Sequence, residues 1–267
     1  QGNRMSIGGV ISDKIAGESG KLNKLGEGVL TLSGTNTYTG TTTISGGTLA
    51  LSATGSINQT PNITVAATAT FDVSALAGGY SLASGQALSG AGRVAGAANI
   101  SGTLSPGSSP GKLETDSQVW LNGGDYNWQM LDATAAAGIG YDTIAVTGTL
   151  DLSGLSAGGF GINLWSLGSI LPDTNGDALN FNYLLPQSWK ILTTTQGITG
   201  FDAADFTISS TANNGAGGFS NSLDPNGVFS LDQSGNDLTL SYTVIPEPCA
   251  SLLGGLGLLL VLRRRRD

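Results

Sequence analysis

The sequence predicts an all-β protein: a right-handed parallel β-helix, or solenoid, closed by a C-terminal β-hairpin cap and followed by a short hydrophobic C-terminal helix. Three observations carry this. Glycine supplies 42 of the 267 residues with no three-residue period, and Ser, Thr and Asn are plentiful, so tight turns are available throughout and collagen is excluded. Apolar residues make up 39% of the chain and repeatedly alternate with polar ones, as half-buried strands do. Charged residues are only 11%, which excludes disorder driven by self-repulsion.

The strand pattern is clearest in residues 25–51. Leu30 and Leu32 share one face, Thr42 and Ile44 the next, and Leu49 and Leu51 a third, with Gly34, Gly40, Gly46 and Gly47 expected as left-handed corners. Three short strands with no helix between them are what one solenoid coil needs. This stretch, with its lead-in at residues 7–12 and 21–24, resembles the autotransporter-associated β-strand repeat of bacterial surface proteins, in one clear copy.

Further along, Ile63, Val65, Ala67, Ala69, Phe71 and Val73 alternate with polar or small residues. Leu82, Leu88, Val94, Ile100 and Leu104 then recur beside glycines, and the Pro/Gly cluster at 105–111 reads as an ordered loop between coils. Tyr126, Trp128 and Met130 share a strand face, followed by strands near 141–146 and 150–152. Residues 1–154 are accordingly assigned to the solenoid. Residues 155–245 continue it or form a β-rich cap, with a looser stretch at 155–185. The runs 228–231 and 238–244, joined by Ser234, Gly235, Asn236 and Asp237, read as an antiparallel hairpin covering the open solenoid end. About ten stacked coils at ~4.8 Å each are expected.

Residues 246–267 form a separate tail. Pro246 and Pro248 flank Glu247 and keep that segment out of any sheet. Residues 249–262 carry no charge, and Arg263, Arg264, Arg265 and Arg266 then mark a cytoplasmic side. At ~1.5 Å per residue this apolar run is shorter than the roughly 30 Å of a bilayer core. A weak anchor or a buried terminal helix are the plain readings. The order Pro-Glu-Pro, short Gly/Leu helix and Arg run resembles the PEP-CTERM sorting signal of Gram-negative bacteria. The resemblance implies recognition and removal by an exosortase-like membrane protease after a transient stay in the inner membrane. Cys249 departs from the pattern, which usually carries Ser or Ala there. No signal-peptide core is visible in residues 1–16; since the sorting-signal resemblance implies export, the true N-terminus is expected to have been lost to processing or truncation.

Composition bounds the chemistry. The one cysteine lies in the tail, leaving the exported part without an internal disulfide. Histidine is absent, removing the commonest neutral-pH acid/base and zinc ligand. Residues 1–245 hold seven basic groups against 17 acidic ones, a surface that repels nucleic acid. Asp173, Asn175 and Asp177 mimic the first positions of a calcium loop, but Ala178 and Leu184 replace the glycine and glutamate such a loop needs; an Asx-rich turn is the plainer reading. Asp142 with Asp151, or Asp202 with Asp205, are the carboxylate pairs a β-helix hydrolase would use, with few basic residues nearby. Tyr38, Tyr80, Tyr126, Trp120, Trp128 and Trp189 are expected in the core, leaving Trp165 as the candidate glycan contact.

Together these readings describe an exported, non-enzymatic, cofactor-free structural protein of the cell surface or exopolysaccharide matrix. Its partners are an exosortase-like protease and extracellular polysaccharide. The alternatives are a glycan-binding adhesin and a β-helix glycosidase acting on matrix polysaccharide.

Overall fold

The computed structural model describes residues 3–15, 17–107, 109–170, 173–211 and 218–244. They form a parallel β-helix with three sheets. The first sheet has ten strands, eight of them parallel from Arg4–Ile7 through Val29–Leu32, Gly47–Leu51 and onward to Gln187–Thr194. The second runs from Leu22–Lys24 to Phe160–Ile170, with Asp173–Asn175 added antiparallel and Phe206–Ser209 parallel. The third holds five strands, from Tyr80–Leu82 to Ile198–Thr199. Eight coils, two fewer than expected, stack to about 38 Å.

Inward residues pair with their counterparts one coil away. In the first sheet the register carries Leu30 onto Leu49, Leu49 onto Phe71 and Phe71 onto Val94. In the second it carries Ile63 onto Leu88, Leu104, Tyr126 and Ile162. A side chain turned inward on one coil therefore meets its equivalents above and below, and the core is one continuous column. Leu82, Leu88, Val94, Ile100 and Leu104 are all buried on successive sides of the turning chain. Ile63 and Val65, then Ala69, Phe71 and Val73, keep their alternation across a corner between two strands.

Two details of the repeat differ from the sequence reading. Leu49 and Leu51 lie on the same sheet as Leu30 and Leu32, one coil on, and the third sheet starts only at Tyr80. In the first coils the third side is an irregular turn held by Asn36, whose amide donates to the Gly34 and Ser56 carbonyls and whose Oδ1 accepts from the Ile11 N–H. Of the four expected left-handed glycines, only Gly47 has positive φ, at 60°. Gly34 and Gly40 are required for another reason. A Cβ at Gly34 would stand 2.5 Å from the Gly9 carbonyl oxygen, and one at Gly40 would meet that of Gly20.

Aromatics thicken the core in the later coils. Trp120 stacks on Phe160 at 4.2 Å and 8°, with Phe206 edge-on to both rings, and Trp128 packs against Trp189 at 5.9 Å. The segment expected to be irregular contains the longest strand, Phe160–Ile170, whose first half continues the second sheet in register. Its Asn/Gly-rich surroundings obscure the alternation of Phe160, Ile162 and Leu164. The Pro/Gly cluster is an ordered corner on its described residues: the Gly107 N–H donates to the Gly90 carbonyl and the Gly111 N–H to Asp142 Oδ1.

The hairpin is present as Gly227–Ser234 and Asp237–Val244, and pairs antiparallel onto Gln187–Thr194. Gly235, at φ 59°, takes the first central position of its two-residue turn, as a type II′ turn requires. It closes the first sheet's edge, while Asp173–Asn175 and Phe206–Ser209 cover the second's. The expected C-terminal helix lies outside the described residues. No helix among the described residues is long and apolar enough to cross a membrane.

Candidate functional site: the outer face of the second sheet

Because strand side chains alternate, each sheet turns every second residue outward. The outsides of the first and second sheets differ in chemistry. The three ion pairs among the described residues, Arg93–Asp116, Lys112–Glu114 and Lys190–Asp237, all arise on or beside strands of the first sheet. The second sheet presents amides and hydroxyls instead. One outward position per coil reads Asn23, Thr43, Thr64 and Ser89, each in register with the next. Ser89 pairs with Ser105; beyond Ser105, Asn127, Asn163 and Ser209 complete the column.

The column is internally bonded. Thr64 and Ser89 hydroxyls lie 3.1 Å apart, and Ser89 Oγ donates to Asn62 Oδ1 at 3.2 Å. Asn127 Nδ2 donates to Ser105 Oγ at 3.3 Å, and Asn163 Nδ2 to Asn127 Oδ1 at 3.0 Å. These residues are half-buried against one another, so their rotamers are held. A parallel flanking column carries Asn62, Thr103 and Asp125, whose carboxylate accepts from Asn163. Asp125 is the one charge in either column.

Trp165 projects from the same face, in register with Gln129. It is half-buried, and its indole Nε1 is enclosed without a hydrogen-bond partner. Ser109 Oγ bridges from the neighbouring corner to Gln129 Oε1 at 3.0 Å and to Asp173. The other singled-out aromatics, Tyr38, Tyr80, Tyr126, Trp120, Trp128 and Trp189, are buried.

The remaining candidates are distributed. Asp173 and Asn175 sit on a strand paired with Leu167 and Ile170, not on a curled loop. Asp173 accepts from Ser109, and the Asn175 amide donates to the Ser166 and Gly218 carbonyls. No group of three or more His, Cys, Asp or Glu among the described residues is placed to hold a metal ion. Asp142 and Asp151 do not share a face. Asp142 is fully buried, its oxygens accepting from the Gly111 and Gln129 N–H groups at 2.7 and 3.0 Å, and burial pushes its carboxyl well above the usual range. Asp151 is half-buried at the surface and accepts from Ser153 Oγ and N–H, bonds that lower its pKa. Asp202 accepts from the Ala204 N–H and starts the 3₁₀ turn Ala203–Asp205. The tail residues Pro246, Glu247, Pro248 and Arg263 to Arg266 lie outside the described residues.

These features define a class: a parallel β-solenoid whose surface is divided between a charged sheet and an amide- and hydroxyl-bearing one. Residues 22–51 match the family model of the passenger-associated transport repeat. The matched stretch spans strands Leu22–Lys24 to Gly47–Leu51, about one and a half coils. It points to an extracellular or surface protein of autotransporter type. A search among curated proteins finds no match.

The sequence reading did not find the amide and hydroxyl column. Its members are separated by unequal intervals, because the corners between strands differ in length. The signal lay one residue beyond each inward apolar or small residue of the second sheet, and could be read only once the coil register was known.

Proposed function

We propose that the chain is an exported, non-enzymatic structural protein of the bacterial surface or exopolysaccharide matrix. Its solenoid is the working part and its tail the address. The observation that carries this reading is the transport-associated repeat at residues 22–51, embedded in a solenoid that runs on without interruption for eight coils. Repeat scaffolds of this kind offer a long surface and need no single catalytic centre. The acidic, lysine-poor body favours uncharged partners over nucleic acid.

In this reading residues 246–267 are the sorting signal. Residues 249–262 lie transiently in the inner membrane, the four arginines stop on the cytoplasmic side, and an exosortase-like protease cuts near Pro246, Glu247 and Pro248. Mass-spectrometric mapping of the C-terminus of protein recovered from the cell surface and medium tests it. A terminus between Pro246 and Cys249 supports sorting by cleavage. A terminus still carrying Arg263 to Arg266, found only with membranes, sinks it and leaves a tethered solenoid.

A further inference from the structure

We infer that the outer face of the second sheet is a binding surface for an uncharged, linear polysaccharide lying along the solenoid axis, with Trp165, which flanks the column beside Asn163, as its aromatic side contact. The inference rests on the polysaccharide-matrix reading above and names the face that would carry it.

The column repeats once per coil, so its hydroxyl and amide groups recur at about 4.8 Å along the axis. A linear glycan offers hydroxyls that recur in the same regular way along one direction. The bonds inside the column hold it without exhausting it. Each Asn amide has two N–H donors and a carbonyl oxygen with two lone pairs, and each hydroxyl both donates and accepts. Asn127 spends one donor on Ser105 and one lone pair on Asn163, leaving one N–H and one lone pair uncommitted. Because the side chains are already ordered, binding does not have to freeze them.

Charge selects the class of glycan. Neither column contains a cation, and Asp125 adds a negative charge, so a uronate- or phosphate-bearing chain would meet no counter-charge and some repulsion. On the second sheet Lys24 is buried and held by the Leu25, Gly26 and Gly46 carbonyls, and exposed Lys21 precedes its first strand; Arg93, Lys112 and Lys190 are on the first sheet, each already paired with a carboxylate. Trp165 supplies the apolar element that sugar recognition needs. An indole face packs against the C–H face of a pyranose ring, while its enclosed N–H lacks an acceptor in the protein and would gain one from a sugar hydroxyl after a small shift of the ring.

The test is binding of the whole protein to a soluble neutral β-glucan and, separately, to alginate, by affinity electrophoresis and calorimetry. Wild type should be retarded by the β-glucan and not by alginate. Trp165→Ala and the double substitution Asn127→Asp with Asn163→Asp should each weaken the β-glucan interaction at least tenfold, Trp165→Phe should keep most of it, and Lys112→Ala on the first sheet should leave it unchanged. Circular dichroism melts verify that each variant is folded, and a misfolded Trp165→Ala is replaced by the Asn double variant as the deciding measurement. Retardation by alginate alone, no retardation by either polymer, or equal loss in Lys112→Ala would overturn the inference. A protein that is cleaved at its tail but binds neither polymer retires this face and leaves the sorting reading standing. One that binds β-glucan but keeps its tail does the reverse.

Discussion

Asp142 is a carboxyl group that the fold encloses completely and uses as a clasp. Its two oxygens accept from the Gly111 N–H, in the Pro/Gly corner, and from the Gln129 N–H, on the second sheet. Its own carbonyl accepts from Trp128 Nε1. Burial raises its pKa, the two N–H bonds oppose that, and the nearby Asp173 adds to it. A folded-state pKa above the unfolded value of about 4 means that Asp142 contributes full stability below that value and loses it as pH rises through the raised one. The surface carboxylates Asp13, Asp132 and Asp151, each half-buried, are shifted downward by their hydrogen bonds and act in the opposite sense, losing stability as pH falls. Comparison with Asp142→Asn isolates the single group. The melting temperature of wild type relative to this variant should fall from pH 4 upward, and parallel curves would show that folding does not raise the Asp142 pKa.

At the scale of the element, the glycines of the first coils divide into two kinds that look alike in the sequence. Gly34 and Gly40 have ordinary backbone angles and sit where the carbonyls of Gly9 and Gly20 pass from the coil before. Gly9 has an open surrounding. Gly34→Ala should destabilise by about 1–3 kcal/mol through overpacking against backbone that cannot move aside, whereas Gly9→Ala should be close to neutral. Equal effects in denaturant unfolding would mean that the coils can separate to admit the methyl group. The same contrast explains what was legible beforehand. Inward residues such as Leu30, Ile44, Leu88 and Leu104 declare themselves by alternation, and the 227–244 hairpin by its Ser-Gly-Asn-Asp turn. Which strands lie over one another is set by corner lengths, and those follow from local turn chemistry with no constant period. For that reason Leu49 could be read as a third face, and Asn127 and Asn163 could not be recognised as neighbours. Trp165 was legible as the odd aromatic out because it falls in the stretch where the strand pattern is loosest. Its place beside Gln129 was not.

For the whole molecule, the question is how far a local change travels. A solenoid gains its stability from contacts between adjacent coils, so its energy is close to a sum of nearest-neighbour terms. Here the aromatic column makes those terms unequal. Trp120 contacts Phe160 at 4.2 Å, Tyr126 and Phe206 at 6.3 Å, and anchors its ring N–H on Gln118 Oε1 at 2.7 Å. The first coils are held by smaller side chains, among them Leu32, Ile44 and Leu49, with Lys24 capped by the carbonyls of Leu25, Gly26 and Gly46. Trp120→Ala should cost about 3–5 kcal/mol, most of it spent on the coils its ring touches. Hydrogen exchange followed by mass spectrometry should then show faster exchange in Ala98–Ile100, Gln118–Trp120 and Phe160–Ile170, with Val29–Leu32 and Gly47–Leu51 unchanged. Acceleration spread evenly over all eight coils would identify one cooperative unit in place of a chain of coupled ones. In that case a damaged middle coil would also loosen the distant transport-associated repeat.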